Sequence, residues 1–319
     1  MTDKNAPEKT VVSQEVPTKI PTVHFVNGVV GGVGKSTFSK LVAEMYSQSL
    51  QNVNIVDLDG ANPNVASVYT KEIVSTWKEN RARKQKVAEH DDFFSAKGAA
   101  TSTTQVKPEV KKATVADLLS GEQIVLVDDP AKAYMGDRLL GVINADSSID
   151  TLVSMPSNID SSFRNWLNKN NIDREVVEID RFSYRVINWW VTDGSDDSMR
   201  LFANFIDDYP EIRHVMVANK GNTSTVTDWD YFTVSERLLE HFKQKRLTAI
   251  SMGLLSMDSK LSARAQREHL TYSELMNLPN TNTYEQFAAI RIRHWLNENF
   301  KAIKSTGLFN FDSPDSVGS

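Results

Sequence analysis

The sequence predicts one doubly wound α/β domain, a single, mostly parallel sheet with helices on both faces. Three observations predict it. Apolar runs of strand length alternate with amphipathic helical stretches from residue 22 to residue 304. The series opens as strand, glycine-rich turn, helix, strand, which is a βαβ unit and calls for a parallel sheet. No segment repeats at a fixed period, which argues against a solenoid or propeller.

The elements follow in order. "TVHFVNG" (22–28) is a buried strand stopped by glycine. "STFSKLVAEMYSQSL" places Phe38, Leu41, Val42, Met45 and Tyr46 on one helical face. "NVNIVDLDG" (52–60) is a second apolar run, ending in two aspartates. Residues 78–113 then break the pattern with a stretch rich in Lys, Arg, Ala, Ser and Thr. It reads as an insertion, part helix and part loop, either a solvated linker or a basic arm for DNA or a partner. Regular spacing resumes with "TVADLLSG", "QIVLVDDP" and a helix over "AKAYMGDRLLGVI". "DTLVSMPSN", "YRVINWWVTDG", "IRHVMVANKGN" and "LTAISMGLL" are strands. The helices among them are "SSFRNWLNKNN", "SDDSMRLFANFI" and "SERLLEHFKQK". Two helical segments close the chain, "SARAQREHLTYSELMN" and "YEQFAAIRIRHWLNENFKAIK". The expected division is a flexible arm over 1–21, the domain over 22–304 and a flexible tail over 305–319.

The stretch "GGVGKST" (31–37) carries the clearest chemistry. A loop that binds phosphate needs glycines, so that backbone N–H groups can approach the anion. It also needs a helix N-terminus, a lysine for the β- and γ-phosphates, and a hydroxyl beside that lysine for Mg²⁺. Gly31, Gly32 and Gly34, with Val33 between them, supply the backbone; Lys35 is the lysine, Ser36 the metal ligand, and Thr37 is placed for the α-phosphate. The strict pattern asks for glycine at position 29, where Val29 stands one residue after Gly28. The second strand's Asp57 and Asp59 share a face, at an edge the topology sets beside the loop. A carboxylate there can hold a metal-bound water or orient an attacking one.

Other classes are excluded by composition. The 319 residues contain no cysteine, so disulfides, zinc–thiolate sites, iron–sulfur clusters and a cysteine nucleophile are out. A net charge of −5 gives no global attraction to nucleic acid. No apolar run reaches membrane-span length and the N-terminus lacks a signal-peptide core, so a cytoplasmic setting is expected. The six histidines show no metal-ligand spacing, and His214 and His294 read as structural or surface residues. Trp189 and Trp190 read as core. The last helix sets Arg291, Arg293, Lys301 and Lys304 beside Tyr284, Phe287, Trp295 and Phe300. Packing on the sheet with a solvated basic edge is the default there, and non-specific DNA contact the alternative. Membrane contact is not expected, because the polar "DSPDSVGS" follows.

At "VGGVGKST" and "DLD" the chain resembles the deviant Walker A ATPases, the ParA/MinD family of P-loop NTPases, whose loop reads "KGGVGKT" and whose second strand ends "D-x-D". "NWWVTDGSDDSMRLF" and "HVMVANKGN" look like that family's later strands, and the likeness runs over roughly residues 22–250. Among relatives it looks most like the plasmid mobilisation (MobD- or TraL-like) ATPases. The resemblance implies ATP and Mg²⁺ as cofactors, an ATP-dependent homodimer and slow hydrolysis. Hydrolysis would be stimulated by a protein activator or cargo adaptor, in plasmid mobilisation, partition or cargo positioning. It implies catalytic roles for Lys35 on the phosphates and Asp59 on the attacking water. Ser36 and Asp57 would serve Mg²⁺, and Asn219 would contact adenine. Two positions depart from the family. Val30 replaces the lysine that reaches across the dimer. The third motif is either "QIVLVDDP", with Asp128 or Asp129 as its acid, or "DTLVSMPSN", with Ser154 in the acid's place. Two other readings remain: a metabolic P-loop enzyme (an amide-forming synthase or kinase), or a nearly inactive nucleotide-binding interaction module.

Overall fold

The computed structural model describes residues 20–59, 63–69, 124, 126, 134–145, 148–179, 182–221, 235–278 and 283–309. Residues 1–19 of the expected arm over 1–21, the insertion at 78–113, Asp128, Asp129 and residues 310–319 lie outside them.

Seven strands form one sheet among the described residues. They are β1 (Thr22–Asn27), β2 (Val53–Asp57), β3 (Asp150–Ser154), β4 (Val176–Ile179), β5 (Phe182–Thr192), β6 (Arg213–Asn219) and β7 (Leu247–Met252). The order is β2-β3-β1-β5-β6-β7, all parallel, with β4 pairing antiparallel to the start of β5. The chain moves one way from β1 to reach β2 and β3, and the other way from β5 onward. The switch point, where ligands sit in open α/β sheets, therefore lies beside β1. All six residues of β1 are buried, as its central position between two helix-covered faces requires.

Helices cover both faces. On one side lie α3 (Tyr134–Ala145), α4 (Asp160–Lys169), α5 (Asp196–Asp208) and α6 (Glu236–Lys243), packed on Val23, Phe25, Val153 and Trp190. On the other lie α1 (Lys35–Gln48), α2 (Ala66–Tyr69), α7 (Ser259–Arg267), α8 (Tyr272–Met276) and α9 (Thr283–Lys304), packed on Val26, Leu152, Trp189 and Val191. Successive strand residues face opposite ways, so Trp189 and Trp190 serve different cores and both are fully buried. The fully buried Glu44 of α1 accepts hydrogen bonds from the Tyr69 hydroxyl, the Tyr272 amide and the Ser273 hydroxyl, tying α2 and α8 to α1.

Three sequence expectations are corrected. The β4–β5 hairpin replaces a single strand beginning near Tyr184. The segment read as one helix, "SARAQREHLTYSELMN", is two. His269 has φ +50°, and Thr271 with Glu274 forms a complete capping box that starts α8 anew. Residues 305–309, assigned to the tail, pack on the body: Leu308 is buried and the Phe309 ring stacks on His24 at 4.6 Å. Beneath that stack runs a buried chain of hydrogen bonds. Trp189 Nε1 donates to His24 Nδ1 (3.1 Å), so His24 Nε2 carries the proton and donates to the Tyr46 hydroxyl (2.9 Å). Tyr46 in turn donates to Asp150 Oδ2 (2.7 Å), whose Oδ1 accepts from the Thr22 amide. This network ties β1, β3, β5 and α1 together on the face of the sheet that α1 covers.

Candidate functional site

The loop 28–34 leaves β1 at the C-terminal edge of the sheet and enters α1. Two glycines decide its path. Gly28 has φ +148°, and a Cβ on it would lie 2.5 Å from the Val191 carbonyl oxygen of β5. Gly34 caps α1 at φ +100°, where a Cβ would meet Asn219 Nδ2 at 2.4 Å. The glycine expected at position 29 is thus supplied by Gly28, and Val29 keeps an ordinary backbone while packing on one core. Val30 packs on the other core. The position that carries the trans-acting lysine in the resembling family therefore holds a side chain turned into its own subunit.

Lys35 opens α1 and is 6% exposed. Its ammonium folds across the loop, donating to the Val30 carbonyl (3.0 Å) and to Ser157 Oγ (3.2 Å). Burial lowers its pKa to about 8, with the nearby Asp59 carboxylate opposing the shift. Ser36 is exposed and Thr37 half-buried at the start of the helix, where backbone N–H groups have no intrahelical partner and the helix dipole favours an anion. The Val33 side chain is buried, and its carbonyl accepts from Asn219 Nδ2 at 2.8 Å.

The strands bring the other expected residues to the same edge. In register across the sheet stand Asp57, Ser154 and Val26, the ends of β2, β3 and β1. "DTLVSMPSN" is therefore the strand directly beside the loop strand, with Ser154 2% exposed. Asp57 accepts from the Asp59 amide and from the Val65 and Ala66 amides at the start of α2. Burial raises its pKa, and these backbone donors oppose the rise. Lys40, one turn beyond Ser36 on α1, is lowered by burial, with the Asp57 charge opposing. Asn219 has both side-chain groups engaged, Nδ2 with Val33 and Oδ1 with the Gly221 amide (3.0 Å). It is a strut of the loop. All ten expected site residues, Gly31 to Thr37 with Asp57, Asp59 and Asn219, belong to elements that meet at this edge.

Sequence reasoning overlooked Ser157 and Lys40 here. Lys40 had a signal, lying four residues after Ser36 on a helix; Ser157 had none, because it meets Lys35 across 122 residues of chain.

No protein-family model and no curated protein matches the sequence. Solved structures do resemble it. One is a nucleotide-binding protein in complex with ADP from Archaeoglobus fulgidus (14% identity, TM-score 0.41, 78% of this chain and 87% of that one). Another is an ATP complex of McdA from Cyanothece (12%, 0.38, 87% and 97%). A third is the cell division ATPase MinD of Pyrococcus furiosus (11%, 0.40, 88% and 98%). Likenesses this distant decide nothing about function, which has to be read from the loop and the sheet edge.

The donor set suits a nucleotide with Mg²⁺. A Cβ at Gly28 or Gly34 would crowd the loop, Lys35 is a buried cation bonded to neutral acceptors, and Ser36 presents an exposed hydroxyl. Among the described residues no cluster of three or more His, Asp or Glu could hold a metal alone. Nor is any described helix long and apolar enough to cross a membrane.

Proposed function

We propose that this chain is an ATP-binding switch of the ParA/MinD type that hydrolyses ATP slowly and acts through its nucleotide state. The observation that carries the reading is the placement of Lys35. A buried ammonium stands at a helix N-terminus, behind a loop whose Gly28 and Gly34 admit no side chain, at the switch point of a parallel sheet. Gly31 to Thr37 would cradle the phosphates. Ser36 would ligate Mg²⁺ and Asp57 would hold its water shell. The ion, when bound, neutralises phosphate charge. Asp59, half-buried beside Lys35, would orient the attacking water.

Two observations favour slow turnover. Val30 is packed against the chain's own core and offers no cation to the reacting phosphates. Ser154 occupies the edge position next to Asp57 without adding a carboxylate. The switch would consist of ATP-dependent homodimerisation, with a protein activator or cargo adaptor completing the site. Plasmid mobilisation, partition or cargo positioning are the settings the resemblance implies. The basic edge of α9, with Arg291, Arg293, Lys301 and Lys304 exposed while Trp295 and Phe300 pack inward, leaves non-specific DNA contact as a secondary expectation.

Light scattering in ADP, ATP and a non-hydrolysable ATP analogue tests this. The reading expects a dimer with ATP and the analogue and a monomer with ADP. A constant monomer with turnover near the ~10 s⁻¹ typical of metabolic enzymes would replace it with the metabolic reading.

A further inference from the structure

Between β3 and α4 the segment Met155–Asn158 runs against the first half of the glycine loop. Its Met155 amide donates to the Val26 carbonyl (3.2 Å) and its Asn158 amide to the Val29 carbonyl (3.4 Å). Between those two anchors stands Ser157. Its Oγ accepts from Lys35 Nζ at 3.2 Å, and a Cβ built on Gly31 would lie 3.5 Å from it. The hydroxyl therefore bonds the ammonium and lies next to the space beside Gly31, on the loop that would face a phosphate. A hydroxyl that accepts from an ammonium still has its own hydrogen to donate. It lies on the side of the loop where Val29 and Val30 bring no cation.

We propose that Ser157 is a further phosphate-site residue: it holds the Lys35 ammonium in the ligand-free chain and donates to a nucleotide phosphate oxygen once that oxygen takes the ammonium from Val30. The proposal rests on the nucleotide reading above. It assigns a binding role to a loop that lies 122 residues from Lys35 in sequence. The contact would partly make up for the cation missing at position 30, with a neutral donor in place of a charge.

The test uses the full chain in four forms: wild type, Ser157→Ala, Ser157→Val and Ser157→Thr. Calorimetry measures ATP affinity with Mg²⁺, and the melting temperature without nucleotide reports the fold. Valine and threonine share a shape and differ in the hydroxyl, so their comparison separates hydrogen bonding from packing. A lost hydrogen bond to a charged oxygen predicts about tenfold weaker binding for Ala and Val, with Thr within about threefold of wild type. Equal affinity in Val and Thr, or an Ala variant equal to wild type, would overturn the role of Ser157 while leaving the nucleotide reading intact. A wild-type chain that binds no nucleotide would overturn both.

Discussion

Gly34→Ala is the most informative single perturbation, because two independent costs converge on one methyl group. The first is conformational. Gly34 has φ +100°, where a residue with a Cβ is strained by about 1–3 kcal/mol. The second is steric. The new Cβ would sit 2.4 Å from Asn219 Nδ2 and 3.3 Å from Met252 Cε. The Asn219 amide cannot swing away freely, because it is bonded to Val33 and Gly221 on its two sides. Overpacking of this kind costs about 1–3 kcal/mol. Together the loss is about 2–6 kcal/mol against a total stability of about 5–15 kcal/mol for a typical domain. Urea denaturation measures it, and ATP binding should fall with it as the loop is pushed out of register. The steric part is separable. In Asn219→Ala the obstructing amide is gone, so Gly34→Ala should cost less in that background, with a coupling of about 1–3 kcal/mol. A Gly34→Ala chain within about 0.5 kcal/mol of wild type, or a cycle with no coupling, would refute the claim that Asn219 is a strut pressed against Gly34.

Other predictions concern the charged groups. Burial holds Lys35 at about 8, and a bound phosphate stabilises its protonated form. ATP affinity should therefore be flat below pH 8 and fall by up to about tenfold per unit above it; equal affinities at about pH 7 and about pH 9.5 would contradict this. Asp59→Ala should spare ATP binding and slow hydrolysis, on the order of 100-fold if the carboxylate orients the water; unchanged turnover removes that role. Asp57→Ala should lower stability by about 1 kcal/mol even without nucleotide, because the carboxylate receives the first amides of α2. An unchanged urea midpoint would show that those amides need no partner.

Much of the fold was legible because the central strands are apolar on both faces and unusually continuous. "VHFVN", "INWWVT" and "HVMVAN" could not be surface segments. The loop was legible because its chemistry is local: glycines, lysine and hydroxyl lie within seven residues. Long-range features were not. Nothing near Ser157 announces that it meets Lys35, since only the β1–β3 pairing brings them together. The same holds for His24, whose burial depends on Tyr46, Trp189, Asp150 and Phe309. The Leu308–Phe309 pair sits in a polar stretch, and its packing is decided by the ring of His24 rather than by its own neighbours. Strand β4 escaped notice because "VVEI" alternates weakly and leaves Val176 partly exposed at the sheet's margin. The split between α7 and α8 could have been read from Thr271 and Glu274, a capping box inside an apparently unbroken helical pattern.

The account stands on Lys35 gripping a nucleotide phosphate. Calorimetric titration of ATP with Mg²⁺ into wild type and Lys35→Ala, both checked for an unchanged circular dichroism spectrum, measures that directly. Saturable binding to one site per chain in wild type, with no measurable heat in Lys35→Ala, is the expected result. Equal affinity in the two proteins, or a folded wild type that takes up no nucleotide, would contradict it.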